Sequence, residues 1–151
     1  MTLKVTESES VQKTLAQLAE VYRQLDQSSL PQLAQIYHPQ VIFIDPVGQH
    51  DGIAALEVYF RQLLKSVNDC RFDIQQTLIS GDEATLLWRM AYSHPSLKKG
   101  ETLYLDGISH LKLAEDQVIY QRDYYDLGAM LYEHVPLLGR AVKALKARLK
   151  A

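Results

Sequence analysis

Val41-Ile42-Phe43-Ile44-Asp45-Pro46-Val47-Gly48 sets four strand-forming residues against a carboxylate and a turn. A run of this kind is buried on one or both faces. Asp45 at its end admits two readings. The Asp-Pro step favours a turn, with the carboxylate in water. Alternatively, the strand draws the carboxylate toward low dielectric, which disfavours its charged form and prepares it for proton transfer near neutral pH.

Helices are expected upstream. Ser8 or Ser10 can cap a helix whose stripe is Val11, Leu15, Leu18, Tyr22 and Leu25. Asp26-Gln27-Ser28-Ser29 breaks it, and Ser29 with Pro31 opens a short helix carrying Leu30, Leu33, Ala34 and Tyr37, stopped by His38-Pro39. Strand 41–45 follows, then a loop framed by Gly48 and Gly52, then a helix from about Ile53 to Val67. Beyond it the period changes. Segments 70–79, 83–94, 102–113 and 117–125 read as strands, with Ala114-Glu115-Asp116 as a turn. Strands joined by short turns after three helices predict an α+β domain, its helices on one face of a curved antiparallel sheet.

Alternation assigns faces. Ile119, Gln121, Asp123 and Tyr125 share one side of the last strand. Arg89 directly follows Trp88 in an apolar stretch, and a buried guanidinium requires a carboxylate, for which Asp123 is the candidate. A structural ion pair or two solvated side chains is the plainer reading. Tyr22, on the apolar helix stripe, either is simple core or offers its phenol to an oxyanion in a cavity. His110 is either a sheet residue or a cavity base. The five histidines show no metal-ligand spacing, no Gly-rich phosphate loop is visible, and Cys70 has no evident base partner.

The chain has 151 residues, enough for one domain with a sizeable core. A formal charge of −2 gives no whole-chain reason to expect nucleic acid. A single cysteine suits a reducing compartment, and the first ten residues lack an apolar signal-peptide core, so a cytoplasmic location is expected. The expected organisation is a flexible stretch 1–10, a domain 11–135 and a basic amphipathic helix 136–151. In that tail Leu138, Val142, Leu145 and Leu149 form a stripe among Arg140, Lys143, Lys146, Arg148 and Lys150. It either packs on its own domain or a dimer mate, or docks to an acidic partner or membrane surface.

The segment 37–48, followed by Gly52 and a helix with Tyr59-Phe60, resembles ketosteroid isomerase, whose strand also ends in Asp-Pro-Val-Gly. Val118-Ile119-Tyr120-Gln121-Arg122-Asp123-Tyr124-Tyr125-Asp126-Leu127 resembles the closing strand of limonene-epoxide hydrolase and of SnoaL-like cyclases. All belong to the nuclear-transport-factor-2-like superfamily, and the order of elements extends the resemblance over residues 11–135. It implies a cone-shaped curved sheet closed by helices around one pocket, and a homodimer through the outer face of the sheet. It places Asp45 on the isomerase base and Tyr22 on, or one residue from, its oxyanion tyrosine. Ser109 stands where that enzyme has a second acidic donor. Arg89 and Asp123 fall on two members of the hydrolase Asp-Arg-Asp triad, with Ala91 in place of the third.

Two functions are therefore expected. One is cofactor-independent acid–base chemistry on a small apolar carbonyl compound. In it Asp45 is the base, Tyr22 and Ser109 are oxyanion donors, and Arg89–Asp123 orients ligand or water. The other is a non-catalytic ligand-binding or dimerisation module. In either case Ser109, Tyr59, Phe43, Trp88, Tyr125 and Gln121 are the residues expected to contact the ligand, with no metal.

Overall fold

The computed structural model describes residues 2–150, with side chains from Glu9 onward. Helix α1 (Thr2–Arg23) leads through a 3-10 turn (Gln27–Ser29) to α2 (Leu30–Ile36). Strand β1 (Tyr37–Asp45) and β2 (Gly48–Asp51) form a hairpin, and α3 (Ile53–Ser66) follows. A meander of β3 (Asp69–Ser80), β4 (Glu83–Ser93), β5 (Leu103–Ala114) and β6 (Gln117–Tyr124) comes next. The chain ends in α4 (Leu127–Met130), a 3-10 turn (Tyr132–His134) and α5 (Pro136–Lys150).

The six strands form one sheet in the order β2-β1-β6-β5-β4-β3. Every neighbouring pair is antiparallel except β1 and β6, which run parallel. Register shifts interrupt the ladders at Ile74/Gln76, at Lys112/Leu113 and between Tyr37 and Ile42. Such irregularities bend a strand and raise its twist, which curls the sheet. The fold is thus the expected α+β type, with a mostly antiparallel curved sheet. The turn at Glu115-Asp116 holds both residues at positive φ (53° and 64°), as a tight two-residue hairpin demands.

Three local expectations are corrected. α1 begins at Thr2, ahead of the Ser8 and Ser10 caps. α2 ends at Ile36, because the residue before His38-Pro39 is already extended, so Tyr37 opens β1. The stretch after Gly48 is not a loop but β2, paired with β1 from Asp45↔Gly48 to Ile42↔Asp51.

The helices cover the inner face of the sheet. Leu18, Tyr22 and Leu25 of α1, Leu33 and Ile36 of α2, and Leu56 and Phe60 of α3 are buried against Phe43, Leu86, Trp88, Leu111 and Val118. Full burial of side chains of this size stabilises by roughly 1.5–3 kcal/mol each, so this layer is the main force holding helices to sheet.

Candidate active site

Alternation along β4 sends Ala84, Leu86, Trp88, Met90 and Tyr92 inward. Trp88 pairs with Gly107 on β5, and the missing side chain there is what admits the indole. A Cβ on Gly107 would stand 2.2 Å from Trp88 Cη2. Around the indole lie Phe72 (centroids 5.0 Å) and Tyr125 (6.2 Å), and Phe72 in turn meets Tyr22 (5.1 Å), all edge-on. These rings wall a cavity of about 500 Å³. Its opposite wall comes from the C-terminal segment, through Leu127, Met130, Leu131 and Tyr132. The Tyr92 hydroxyl ties that segment to β4 by donating to the Met130 carbonyl (2.5 Å).

Two carboxylates interrupt this apolar lining, Asp45 and Asp123. The parallel register explains their meeting. Phe43 is opposite Gln121 and Ile44 opposite Arg122; one residue further, Asp45 comes beside Asp123. Asp45 both makes the turn and reaches the cavity, one oxygen for each. Its Oδ1 accepts from the backbone N–H groups of Val47 (2.9 Å) and Gly48 (3.1 Å), making the turn into β2. Its Oδ2 accepts from the Tyr59 hydroxyl at the cavity. His50 stacks on the Tyr59 ring (3.9 Å, 24°) and fixes it.

Asp123 is held from behind. Its Oδ1 accepts from Ser109 Oγ (2.6 Å) and from Gln121 Nε2 (2.9 Å). Each donor is itself supplied: Trp88 Nε1 donates to Ser109 Oγ (2.9 Å), and the Tyr37 hydroxyl donates to Gln121 Oε1 (2.6 Å). Since Tyr37 spends its proton there, the Tyr22 hydroxyl, 2.7 Å away, is the donor to Tyr37. Two chains of donors therefore converge on one carboxylate oxygen. Burial nonetheless dominates and pushes the Asp123 carboxyl up to about 6; the Ser109 and Gln121 bonds oppose this, and the Asp45 charge adds to it. Burial, then the Asp45 hydrogen bond and charge, raise the Tyr59 phenol. Burial, then Asp45 and Asp123, raise Tyr125 as well, so both phenols stay protonated.

The structure sorts the expected residues into three groups. Asp45, Asp123, Tyr22, Tyr59, Trp88 and Tyr125 all line the cavity. Ser109, Gln121 and Phe43 are buried behind its wall, where Ser109 and Gln121 support Asp123 and Phe43 packs edge-on against Phe60 (5.6 Å). Arg89 is elsewhere. One residue after Trp88, it points out of the opposite face and pairs with Asp106 across the strand (2.9 Å), not with Asp123. His110 is also on the outer side, 3.6 Å from Glu83. The donor roles expected of Tyr22 and Ser109 meet a physical obstacle, because both hydroxyl protons are committed within the protein. Sequence reasoning missed Tyr37; its place directly before His38-Pro39, where a helix cannot continue, was the available signal. Cys70 lines the cavity with its thiol pushed up to about 12, chiefly by burial. Among the described residues no cluster of three or more His, Cys, Asp or Glu is placed to hold a metal.

A family model described as a SnoaL-like domain matches residues 18–121. Among curated proteins, none matches this chain. Solved structures share the fold at low identity. A protein assigned as a SnoaL-like polyketide cyclase from Jannaschia sp. CCS1 superposes with a TM-score of 0.71 at 16% identity, over 82% of this chain and 90% of that one. A hypothetical protein with a ketosteroid isomerase-like fold from Catenulispora acidiphila DSM 44928, in complex with trimethylamine, gives 0.68 at 13%, over 78% and 88%. TerC co-crystallised with polyporic acid gives 0.70 at 14%, over 80% and 95%.

Proposed function

The chain belongs to the SnoaL-like domain family, and from that premise we propose that its cavity takes a small, largely apolar carbonyl compound and moves a proton on it. The observation that carries this reading is the pair Asp45 and Asp123 on one apolar cavity. A carboxyl that titrates near 6 both accepts and returns a proton at neutral pH. Asp123 is therefore assigned as the proton carrier, and the role that the resemblance gives to Asp45 passes to the pair. Asp123 takes a proton from the carbon next to the carbonyl, the C–H electrons move toward the carbonyl oxygen, and Tyr125 donates a hydrogen bond to that oxygen. Asp123 then returns the proton to another carbon or to oxygen. Asp45 holds Tyr59 and stands beside Asp123, whose carboxyl it helps to raise. Isomerisation fits this sequence of steps, and so does ring closure when the enolate carbon attacks a second carbonyl carbon of the same ligand and Asp123 returns the proton to the alkoxide oxygen so formed. The bound trimethylamine and polyporic acid of two fold relatives support a small-molecule cavity.

The proposed organisation keeps 11–135 as this domain with 136–151 appended to it. A homodimer through the outer sheet face belongs to the same reading, and exposed Tyr104, Ile108 and Tyr124 on that side are consistent with it.

A second reading, binding without turnover, is favoured by one observation. Tyr22, Tyr59 and Ser109 all donate within the protein, which leaves few donors for a ligand oxygen. One experiment separates the two. Cyclic ketones and enones that raise the melting temperature are incubated in D2O, and exchange at carbon is followed by NMR. Proton transfer predicts exchange that declines below about pH 6 and falls about 100-fold or more in Asp123→Asn, with ligand still bound. Binding without exchange, or exchange unchanged in both Asp123→Asn and Asp45→Asn, overturns the catalytic reading and leaves the binding one.

A further inference from the structure

We infer that α5 is an interfacial helix that seats the protein on an anionic lipid surface. One side of α5 is already used. Gly139 lies so close to the preceding 3-10 turn that a Cβ would stand 2.4 Å from the Glu133 carbonyl oxygen. Lys146 bridges to Asp126 (2.5 Å) and Glu133 (3.3 Å). These contacts fix the helix against the turn and turn a different stripe outward. Leu138, Leu145 and Leu149, at spacings of seven and four, share that stripe, and Leu145 and Leu149 are 60% and 88% exposed. Leu137 at the start of the helix is 81% exposed.

The charge pattern selects the occupant. Residues 136–150 include five basic side chains and no acidic one, in a chain whose net charge is −2. Cationic charge is thus gathered on α5 while the rest of the molecule is acidic. An anionic surface attracts the helix and repels the body, which orients the molecule. Leucines beside lysines and arginines, in a helix of low net hydrophobicity, are the composition that lies in a headgroup layer. Among the described residues no helix is long and apolar enough to cross a membrane, so the contact is one of lying on the surface. The segment just before α5 carries Leu131 and Tyr132, partly exposed at the edge of the cavity. Seating α5 holds that edge close to the lipid.

The test is flotation of the full chain with vesicles of phosphatidylcholine, with and without phosphatidylglycerol. The expected result is flotation only with phosphatidylglycerol, reversed by high salt. The doubly substituted Leu145→Asp, Leu149→Asp protein should stay at the bottom while retaining the wild-type melting temperature, since both side chains are solvent-exposed. Lys143→Glu with Arg148→Glu, which spares the Lys146 bridges, should lower partitioning about tenfold or more. Wild-type protein that fails to float with either vesicle overturns the inference. So does a dimer in light scattering that the leucine substitutions dissociate without any flotation, because a second copy then covers the stripe.

Discussion

Trp88 and Arg89 are chain neighbours on β4, yet they live in different solvents. Trp88 is 3% exposed, walls the cavity and passes its N–H to Ser109 and so to Asp123. Arg89 stands on the outer face, where its bond to Asp106 lowers that carboxyl but joins two side chains that water already solvates. A carboxylate therefore meets opposite conditions on the two faces of the sheet. Outside, a carboxylate has an ionic partner and gains little from it. Inside, Asp123 has only neutral donors, and burial pushes its carboxyl up to about 6.

The contrast can be broken most directly at Trp88. Trp88→Ala should cost about 3–5 kcal/mol in denaturant unfolding, because it empties the wall and strips Ser109 of its donor. A cost below about 1 kcal/mol would mean that the inner face is not a packed wall.

Asp123→Asn tests the electrostatic half, with the opposite sign. Burial pushes the folded carboxyl up to about 6, while the unfolded one keeps its ordinary value of 3.8. As pH rises through that window the unfolded chain releases its proton first, so the native state loses stability relative to it. Asparagine removes that loss. Asp123→Asn should therefore be more stable than wild type by about 1–3 kcal/mol at pH 8, with the gain fading below about pH 4. A pH-independent difference would show that Asp123 is hydrated like the outer carboxylates.

The smallest effect is expected outside. Arg89→Ala should leave the melting temperature within error at any salt concentration, and a clear loss would mean that the outer face contributes more than a solvated pair can.

How much of this was legible in the sequence follows from the reach of each signal. Period-two alternation on the last strand correctly grouped Gln121, Asp123 and Tyr125. The apolar run before Pro46 marked Asp45 as a strand end. The same logic failed at Arg89, because Leu86-Leu87-Trp88 is apolar on both faces and hides which phase faces inward. The pairing of β1 with β6 was not legible at all. No local period encodes which distant strand a segment joins, and it is this pairing that sets the two carboxylates side by side. The donor chain through Tyr37 was hidden for a related reason: it links residues from three elements, each of which reads locally as ordinary core.

The parallel seam between β1 and β6 also bears on how the molecule is made. β1 leaves the ribosome long before its partner, with β2 on one edge and nothing on the other. The meander of β3 to β6 must be synthesised before the gap closes, and contacts between such distant segments form slowly. Until then the open edge of β1 is available to other strands, and nascent chains that stall before β6 would be the ones that aggregate. Because the acid pair straddles this same seam, the binding chamber is completed only at the last stage of maturation.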